Sequence, residues 1–457
     1  MAEYANSAWI TPTIMSDRMD SNFYKKEDVE NLNKIYESKI QVKSLIDIAD
    51  NITDGPHDGY TFVDEGVLFI RSQNIKDAGF DLTDKKYITK EFHAKFKKSW
   101  LEVGDLLVTR IGEYYGNAAV VPPKYKGCNI NHAIAKIKLK REYNPYYICA
   151  YINSPIGNKI YRRLGKSFTS PRVNLNDYND FLIPIPSSEI QKYIGDKVRK
   201  AEELREEAKR LKKEAEEILN KELNLKDVEF YIKQTNNKKY SWTESIEIED
   251  RIDSEFYKPK YRYLSKLNNM SELSYYYKIS KKRINKNIDR KIKYIDLSSV
   301  NNIIEPSDFN TKELPSRAQF LVKEGNLIIS TLKGSNKISI IPEHLNDSVC
   351  STGFIVIASK SHLTTEYLYL VFSNKVFNMQ IERYSTGSIM SGVNHDNFNK
   401  MLIPVISNKQ IIDTITNKIR KHFRLLYYSK QLIQEAKQDV EDLIEGNFDM
   451  SKVKANN

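Results

Sequence analysis

The feature that most constrains the fold of this chain is an internal repeat. Residues 17–25 (DRMDSNFYK) recur as residues 250–258 (DRIDSEFYK) at an offset of 233. Residues 104–108 recur as residues 325–329 at an offset of 221. Three further matches, all at an offset of 220, are residues 120–122 with 340–342, 173–174 with 393–394, and 182–184 with 402–404. Because the order of the blocks holds while the offset drifts, the sequence predicts a tandem duplication with loops of unequal length.

The composition narrows the class of protein. The 457 residues allow about three domains, and 40% hydrophobic residues are enough to form cores and to exclude global disorder. The formal net charge of +11 favours a polyanionic partner. Three widely spaced cysteines, Cys128, Cys149 and Cys350, form no disulfide framework. With neither a signal-peptide pattern nor an apolar run long enough to span a bilayer, we expect a cytoplasmic protein.

Each copy ends in a helical pattern whose apolar positions alternate between steps of three and four residues, which is typical of a coiled-coil seam. The predicted seam positions are Ala201, Leu204, Ala208, Leu211, Ala215 and Ile218 in the first copy, and Ile415, Ile419, Leu426, Ile433, Ala436 and Val440 in the second. One interpretation is two solvated helices, each packed on its own domain. The other is that the two seams pair, which the presence of one long helix in each copy favours.

Between these landmarks the pattern is short and β-like. Apolar runs bounded by Gly, Asn, Asp and Pro predict strands at residues 66–70, 105–109, 118–121, 135–139 and 353–357, with shorter helices near 145–164 and 365–384. Each copy is therefore predicted to be an α+β domain followed by a long helix. The predicted segments are 1–188 (arm and first domain), 189–222 (central helix), 223–408 (linker, repeated arm and second domain), 409–446 (C-terminal helix) and 447–457 (tail).

The motifs of common catalytic sites are absent from the sequence. It contains no phosphate-binding GxxxxGK[ST] loop, no GxGxxG after a strand, no HExxH or Cys/His metal spacing and no GxSxG. Residues 144–147 (NPYY) resemble the Asn-Pro-Pro-Tyr loop of amino-methyltransferases, but they lack the second proline and suit the start of a helix. Asp17 and Asp20, like Asp250 and Asp253, stand beside an arginine, which favours a structural ion pair or a helix cap. We therefore predict no catalytic, cofactor or metal site in this chain.

Polar side chains near glycines in the predicted loops are the candidates for reading DNA. Arginine pairs with guanine edges and Asn or Gln with adenine edges, whereas Ser, Thr and Lys suit phosphates. The first-copy candidates are Thr53, His57, Arg71, Gln73, Asn74, Thr109, Arg110, Lys166, Ser167, Thr169, Arg172 and Asn174. The second-copy candidates are Thr331, Lys333, Ser335, Asn336, Lys337, Ser385, Thr386, Ser388 and Asn394. Each loop alone is typical of an ordinary polar turn, but recurrence at corresponding places with different side chains favours two readers of different sequences.

Several of these segments, in their order, carry a resemblance to a known family. Residues 52–57 (ITDGPH), 67–75 (VLFIRSQNI), 103–112 (VGDLLVTRIG) and 182–186 (LIPIP), followed by Gln191, resemble the specificity subunit of type I restriction-modification systems. The second copy repeats this pattern in a weaker form, without a recognisable histidine-bearing segment.

The resemblance implies a DNA-recognition subunit rather than an enzyme. Each globular half would be a target-recognition domain that reads one half of a bipartite, asymmetric site on double-stranded DNA. The two long helices would pair antiparallel, relate the copies by a pseudo-twofold and set the spacing. Two methyltransferase subunits would dock on the chain, bring S-adenosylmethionine and methylate an adenine, and endonuclease subunits are the further partners that the family provides.

Other interpretations of the same sequence remain open. The chain could be a protein–protein scaffold that does not bind DNA, with an incidental basic surface. The repeated element at residues 17–25 is also similar to specificity chains of related type II systems. A third alternative is a nuclease or methyltransferase whose site carries no recognisable motif.

Overall fold

The computed structural model describes residues 10, 12, 15–16, 18, 21–57, 59–166, 171–225, 231–232, 234–235, 242, 248, 251–387 and 391–454. The predicted DNA-binding residues Ser167, Thr169 and Ser388 lie outside these ranges. The chain forms two compact units, Met1–Leu204 with Tyr428–Asn457, and Arg205–Tyr427. The border between the units cuts through both long helices, and the five-segment division drawn from the sequence stays a prediction.

The first copy is a mixed α+β domain that leads into a long helix. Its strands are β1 (Gln41–Ser44), β2 (Ala49–Asp54), β3 (Phe62–Val63), β4 (Val67–Ile70), β5 (Ile75–Lys76), β6 (Gly79–Phe80), β7 (Tyr87–Ile88), β8 (Leu106–Thr109), β9 (Ala118–Val120), β10 (Asn129–Ile130), β11 (Ile134–Leu139) and β12 (Leu182–Ile185). Its helices are α1 (Lys26–Glu37), α2 (Leu45–Ile48), α3 (Lys90–Lys95), α4 (Pro145–Asn153), α5 (Pro155–Arg163) and the long α6 (Ser188–Glu222).

The second copy has the same plan. Its strands are β13 (Met270–Glu272), β14 (Tyr277–Ile279), β15 (Lys291–Ile295), β16 (Ser307–Asn310), β17 (Ala318–Leu321), β18 (Leu327–Ser330), β19 (Ile338–Ile340), β20 (Val349–Ser351), β21 (Phe354–Ser359) and β22 (Leu402–Pro404). Its helices are α7 (Thr365–Ser373), α8 (Lys375–Tyr384) and α9 (His395–Asn399), followed by the long α10 (Lys409–Ile444) and α11 (Ser451–Lys454).

Strand order repeats between the copies. An antiparallel sheet has the order β2-β11-β8-β9 in the first copy and β14-β21-β18-β19 in the second. A second sheet contains the parallel pair β4–β10 in the first copy and β15–β20 in the second. The predicted α+β class is therefore confirmed, with two sheet-rich domains and two long helices.

The central strands are buried on both faces. In the second copy, Leu327 and Ile329 of β18 pack in one apolar cluster, with α7 and α10, whereas Ile328 between them packs in another. A strand covered on both faces has no polar alternation, which explains why the sequence shows continuous apolar runs.

The short helices begin at polar caps. The Asn144 carboxamide oxygen accepts hydrogen bonds from the backbone N–H groups of Tyr146 and Tyr147, so the NPYY segment opens a helix. The predicted helix over 145–164 is two helices, because Ser154 caps α5 as soon as α4 ends. Asn374 does the same at the start of α8.

In the first unit, the N-terminal half of α6 pairs antiparallel with the C-terminal half of α10. Lys197 Nζ lies 2.6 Å from Asp439 Oδ2 and 3.5 Å from Glu435 Oε2. The Ser429 hydroxyl donates a hydrogen bond of 2.7 Å to the Ala201 carbonyl oxygen.

In the second unit, the remaining halves of the same helices pair in the same way. Lys418 Nζ lies 2.5 Å from Glu214 Oε2, and Lys421 Nζ lies 2.6 Å from Glu207 Oε1. His422 Nδ1 lies 2.8 Å from the Ala208 carbonyl oxygen. The pairing predicted from the two seams is therefore observed within each unit, and the pseudo-twofold relation of the copies stays a prediction.

Most of the predicted seam positions are buried. The buried ones are Ala201, Leu204, Ala208, Leu211, Ala215, Ile415, Ile419, Ile433, Ala436 and Val440. Ile218 and Leu426 are only half-buried, and Leu219 is fully buried next to Ile218. The seam thus shifts by one residue near the end of α6. This is expected because an α-helix has 3.6 residues per turn and drifts from a strict 3.5-residue repeat.

Candidate functional site

Strand directions bring the predicted first-copy loops to one edge of the domain. Strands β2 and β8 both run antiparallel to β11, which lies between them, so their carboxyl ends meet the start of β11. The parallel pair β4 and β10 ends beside them, because the Asn131 N–H donates to the Ile70 carbonyl oxygen at 3.2 Å. We call the resulting surface the first rim: residues 53–57, 71–74, 109–112, 131–133 and 171–174, with Lys166.

Arg110 is the buried centre of the first rim. Its guanidinium forms an ion pair with Asp54 through Nη2, and its Nη1 donates to the Val173 carbonyl oxygen at 3.2 Å. Its backbone N–H donates to the Ala133 carbonyl oxygen at 2.9 Å. The side chain is 3% exposed, so in this structure Asp54 holds the guanidinium that was predicted to meet a base. The role of Arg110 in reading DNA stays a prediction.

Two histidines stack beside this ion pair. The His57 and His132 rings lie 4.8 Å apart, centroid to centroid, and are inclined by 18°. His57 Nε2 lies 3.8 Å from Asp54 Oδ2. Burial lowers the pKa of His132, and the positive charges of His57, Arg110 and Arg172 add to the effect. The His132 ring is therefore neutral at physiological pH.

Four buried polar atoms of the first rim have no hydrogen-bond partner among the described residues. They are Arg71 Nε, Arg110 Nε, Asn131 Oδ1 and His132 Nδ1. Buried polar atoms are normally satisfied, so these atoms suit a ligand that supplies donors and acceptors. Sequence reasoning did not single out Asn131 and His132, although a polar pair between the buried strands β10 and β11 is a usable signal.

Arg71, Gln73 and Asn74 form a second part of the first rim. Arg71 Nη2 lies 2.7 Å from Asp84 Oδ2, and Gln73 Nε2 lies 3.2 Å from the same oxygen. The hydrogen bond from Arg71 lowers the pKa of Asp84. Asn74 is buried and closes the turn, since its carboxamide accepts from the Arg71 N–H and donates to the Asp81 carbonyl oxygen.

The remaining first-rim candidates divide into buried and exposed groups. The Thr109 hydroxyl is buried and accepts from the Asn117 N–H at 3.0 Å, which holds the following turn. Lys166 Nζ lies 2.7 Å from Asp177 Oδ1, and the Thr53 hydroxyl donates to the Lys98 carbonyl oxygen. Arg172 and Asn174 are exposed, and no ion pair of Arg172 is found within the described ranges.

The second copy builds the corresponding surface with the same backbone hydrogen bonds. Thr331 N–H donates to the Gly353 carbonyl oxygen at 3.0 Å and Val393 N–H donates to the Thr331 carbonyl oxygen at 3.0 Å, as Arg110 and Val173 do in the first copy. Lys333 N–H donates to the Ser391 carbonyl oxygen at 2.9 Å. We call this surface the second rim: residues 280–284, 330–337, 351–353, 385–387 and 391–394.

The second-rim candidates are mostly accessible. Lys333, Asn336, Thr386 and Asn394 are exposed, Thr331, Ser335 and Lys337 are half-buried, and Ser385 is buried. The Asn394 carboxamide caps α9. Lys337 Nζ donates to Asn301 Oδ1 at 2.6 Å, and the Ser385 hydroxyl donates to the Ile381 carbonyl oxygen at 2.5 Å.

A basic run on the second rim was missed. In the strand register, Lys281 occupies the position of Asp54, since Ile279 pairs with Ile357 as Ile52 pairs with Ile137. Lys281, Lys282 and Arg283 are exposed, without an ion pair in the part of the chain that the structure describes. The run KKR was the available sequence signal.

The described residues offer neither a metal site nor a membrane-spanning helix. Among the described residues, no three His, Cys, Asp or Glu side chains are grouped so that they could hold a metal ion. None of the helices in the described ranges is both long and apolar enough to cross a membrane.

Comparison with known proteins supports the resemblance found in the sequence. No family model matches the chain. Over 166 residues the chain is 28% identical to the type I restriction enzyme EcoBI specificity subunit of Escherichia coli, a match that covers 36% of this chain and 34% of that protein. The match thus spans about a third of the length of this curated relative. The resemblance to a type I specificity subunit is confirmed as a similarity.

Two solved structures align along most of the chain. The S subunit of a type I restriction-modification system from M. genitalium aligns over 90% of this chain and 97% of its own, at 12% identity and a TM-score of 0.47. The HsdS subunit from Thermoanaerobacter tengcongensis aligns over 89% of this chain and 97% of its own, at 12% identity and a TM-score of 0.27.

Proposed function

We propose that this chain is the DNA sequence-recognition subunit of a type I-like restriction-modification complex, in which each rim reads one half of a bipartite, asymmetric target. The observation that carries the proposal is the pair of rims. They share backbone hydrogen bonds and strand register, but they present different side chains, namely an Asp–Arg pair with two histidines in one copy and a basic run in the other. A fixed frame with variable side chains suits base recognition.

The paired helices support the spacing role. A 35-residue helix such as α6 is about 50 Å long at 1.5 Å per residue. DNA rises about 3.4 Å per base pair, so a rod of this length matches about 15 base pairs and suits two half-sites between one and two helical turns apart. Buried polar contacts along the seam, from Ser429 and His422, fix the register of the two helices.

We infer that catalysis belongs to partner subunits. Two methyltransferase subunits would bind the helices and the repeated arms, supply S-adenosylmethionine and extrude the target adenine. An endonuclease subunit would complete a restricting complex. The chain itself would hold no cofactor.

The test is to co-express the chain with the methyltransferase subunits of the same host and to sequence the methylated adenines. We expect one asymmetric motif, made of two half-sites at constant spacing. Exchanging residues 110–112 and 131–132 for their second-copy counterparts should change one half-site and leave the other intact.

Other outcomes would support the alternatives. A chain that binds its partners but shows no salt-dependent DNA affinity would be a scaffold, because contacts to phosphates always carry salt dependence. Methyl transfer by the purified chain alone would place a catalytic site within it. Cleavage and methylation by a single fused partner would point to a related type II system.

A further inference from the structure

A basic cleft of about 870 Å³ lies entirely within the second unit, between α6, α8 and the second rim. Six lysines line it, against two glutamates: Lys209, Lys212, Lys213, Lys260, Lys333 and Lys375, with Glu216 and Glu382. We propose that this cleft of the second unit binds DNA backbone phosphates, so that the central helix contacts the DNA as well as setting the spacing. The proposal rests on the proposed function and deepens it.

Two of the six cleft lysines keep their full charge, whereas the other four have an acidic neighbour. Lys209 Nζ lies 3.1 Å from Glu206 Oε1, and Lys213 Nζ lies 3.7 Å from Glu217 Oε1. Lys260 forms a 2.7 Å ion pair with Glu382, and Lys212 lies 3.9 Å from Glu216. Lys333 and Lys375 are exposed and have no ion pair in the described part of the chain. Because a low-dielectric cleft strengthens the field of such charges, it attracts a polyanion.

The other lining groups suit phosphate oxygens rather than a cation or an apolar ligand. Asn301, Asn302 and Asn336 line the wall. The Ser373 hydroxyl is buried there, without a hydrogen-bond partner among the residues described. Burial lowers the pKa of His422 to about 4, so this histidine is neutral at physiological pH and donates its Nδ1–H to Ala208.

Most of these charges are absent from the corresponding positions of the first unit, although Lys209 corresponds to Lys430. At the offsets of 220 and 221 that align the copies, Lys212 and Lys213 correspond to Ile433 and Gln434, and Lys375 corresponds to Pro155. Lys333 corresponds to Gly112. The charge is therefore a property of the second unit and not of the scaffold that the two copies share, as expected for a ligand contact on one side only.

Position and chemistry favour the DNA backbone as the ligand. Lys333 and Asn336 belong both to the second rim and to the cleft wall. A DNA strand bound at the second rim would therefore continue into the cleft. Lysine offers a point charge on a flexible stem, which suits phosphates better than base edges.

The test compares two triple variants of the chain in its complex with the methyltransferase subunits. Lys212→Gln, Lys213→Gln and Lys375→Gln remove charge from the cleft and keep a polar side chain at each position. The control, Lys192→Gln, Lys200→Gln and Lys400→Gln, removes the same charge from exposed positions outside the cleft. DNA affinity is measured against salt concentration, and hydroxyl-radical footprinting reports which phosphates are protected.

We expect the cleft variant to lower the steepness of log affinity against log salt by about 1–3, because Lys375 carries its full charge whereas Glu216 and Glu217 compensate part of the charge of Lys212 and Lys213. Low-salt binding should weaken by about 10-fold. The footprint beside the second half-site should be lost, and the methylated motif should not change. Binding and footprint equal to those of the control would overturn the proposal. Loss of complex assembly in mass photometry would overturn it too, since it would assign the cleft to an acidic protein surface. A wild-type complex without salt-dependent DNA binding would refute the proposed function as well.

Discussion

The first and second rims share their backbone hydrogen bonds but differ in the side chains that they present. In the first rim, Arg110 is buried and neutralised by Asp54. In the second rim, the matching positions hold the half-buried Thr331 and the exposed Lys281. The backbone hydrogen bonds around Arg110 and Thr331 are nevertheless equivalent. The comparison teaches that main-chain pairing conserves the loop positions while the side chains are free to diverge.

The largest expected effect comes from breaking the first-rim ion pair. Arg110→Ala leaves Asp54 without its guanidinium and opens a buried space, so we expect a loss of about 3 kcal/mol in the stability of the first unit. Thr331→Ala removes one hydroxyl hydrogen bond to Gly353, which is worth about 1 kcal/mol. Hydrogen exchange of β8 against β18 under denaturant measures each copy separately.

A double-mutant cycle isolates the ion pair. Asp54→Ala together with Arg110→Ala should cost clearly less than the two single changes added, because the second change no longer strands a charge. Additive losses would show that Arg110 stabilises the first unit by packing alone. In either case, if the Arg110→Ala variant accepts more than one base at a position of one half-site, Arg110 also takes part in base recognition.

The second prediction uses a polar group that only the second copy places in the seam. His422 corresponds to Ala201 at the offset of 221, and burial lowers the pKa of His422 to about 4. As the pH falls, the His422 imidazole of the unfolded chain binds a proton at about pH 6.5, whereas that of the folded chain binds one only at a lower pH. The second unit should therefore keep its full stability above pH 6.5 and lose it as the pH falls towards 4, by up to about 3 kcal/mol.

The measurement is the unfolding free energy of wild type and His422→Ala between pH 7.5 and about pH 4. The difference between the two proteins should shrink as the pH falls, because only the wild type carries the histidine. Ser429→Ala is the matched control, since it removes a seam hydrogen bond that does not titrate. A difference between wild type and His422→Ala that is independent of pH would contradict the assignment.

The comparison also shows what the sequence was able to predict. The duplication, the strands and both long helices follow from local patterns, so α6 and α10 lie within two residues of their predicted ends. The ion pair of Arg110 with Asp54 joins residues 56 positions apart, and no local pattern carries that information. Asn131 and His132 do stand out locally as a polar pair between two apolar strands, but only the meeting of β4, β10 and β11 shows that they reach the rim.

A third, smaller effect is expected at Gly55 of the first rim, whose counterpart in the second rim is Lys282. A Cβ added to Gly55 would lie 2.0 Å from the Ile130 carbonyl oxygen, which is a backbone atom that cannot move aside. Gly55→Ala should therefore cost about 1–3 kcal/mol in the first unit. Lys282 corresponds to Gly55 and is exposed, so Lys282→Ala should change the stability by less than about 0.5 kcal/mol. Thermal unfolding of both variants checks this, and equal losses would show that the two loops follow the same path.

The smallest effect sharpens the electrostatic contrast between the rims. Lys281→Gln removes one exposed charge from the second rim, and Lys166→Gln removes one from the first, where Asp177 already pairs with it. If both rims lie on DNA, Lys281→Gln should lower the salt dependence of binding by about one phosphate equivalent. Lys166→Gln should lower it by less, because its ion pair with Asp177 already compensates part of the charge. Neither change should alter the methylated motif, since a lysine that contacts phosphates positions the DNA without reading it. Equal salt effects would mean that the Lys166–Asp177 pair opens on DNA, and the two rims would then differ less in charge than their free structures show.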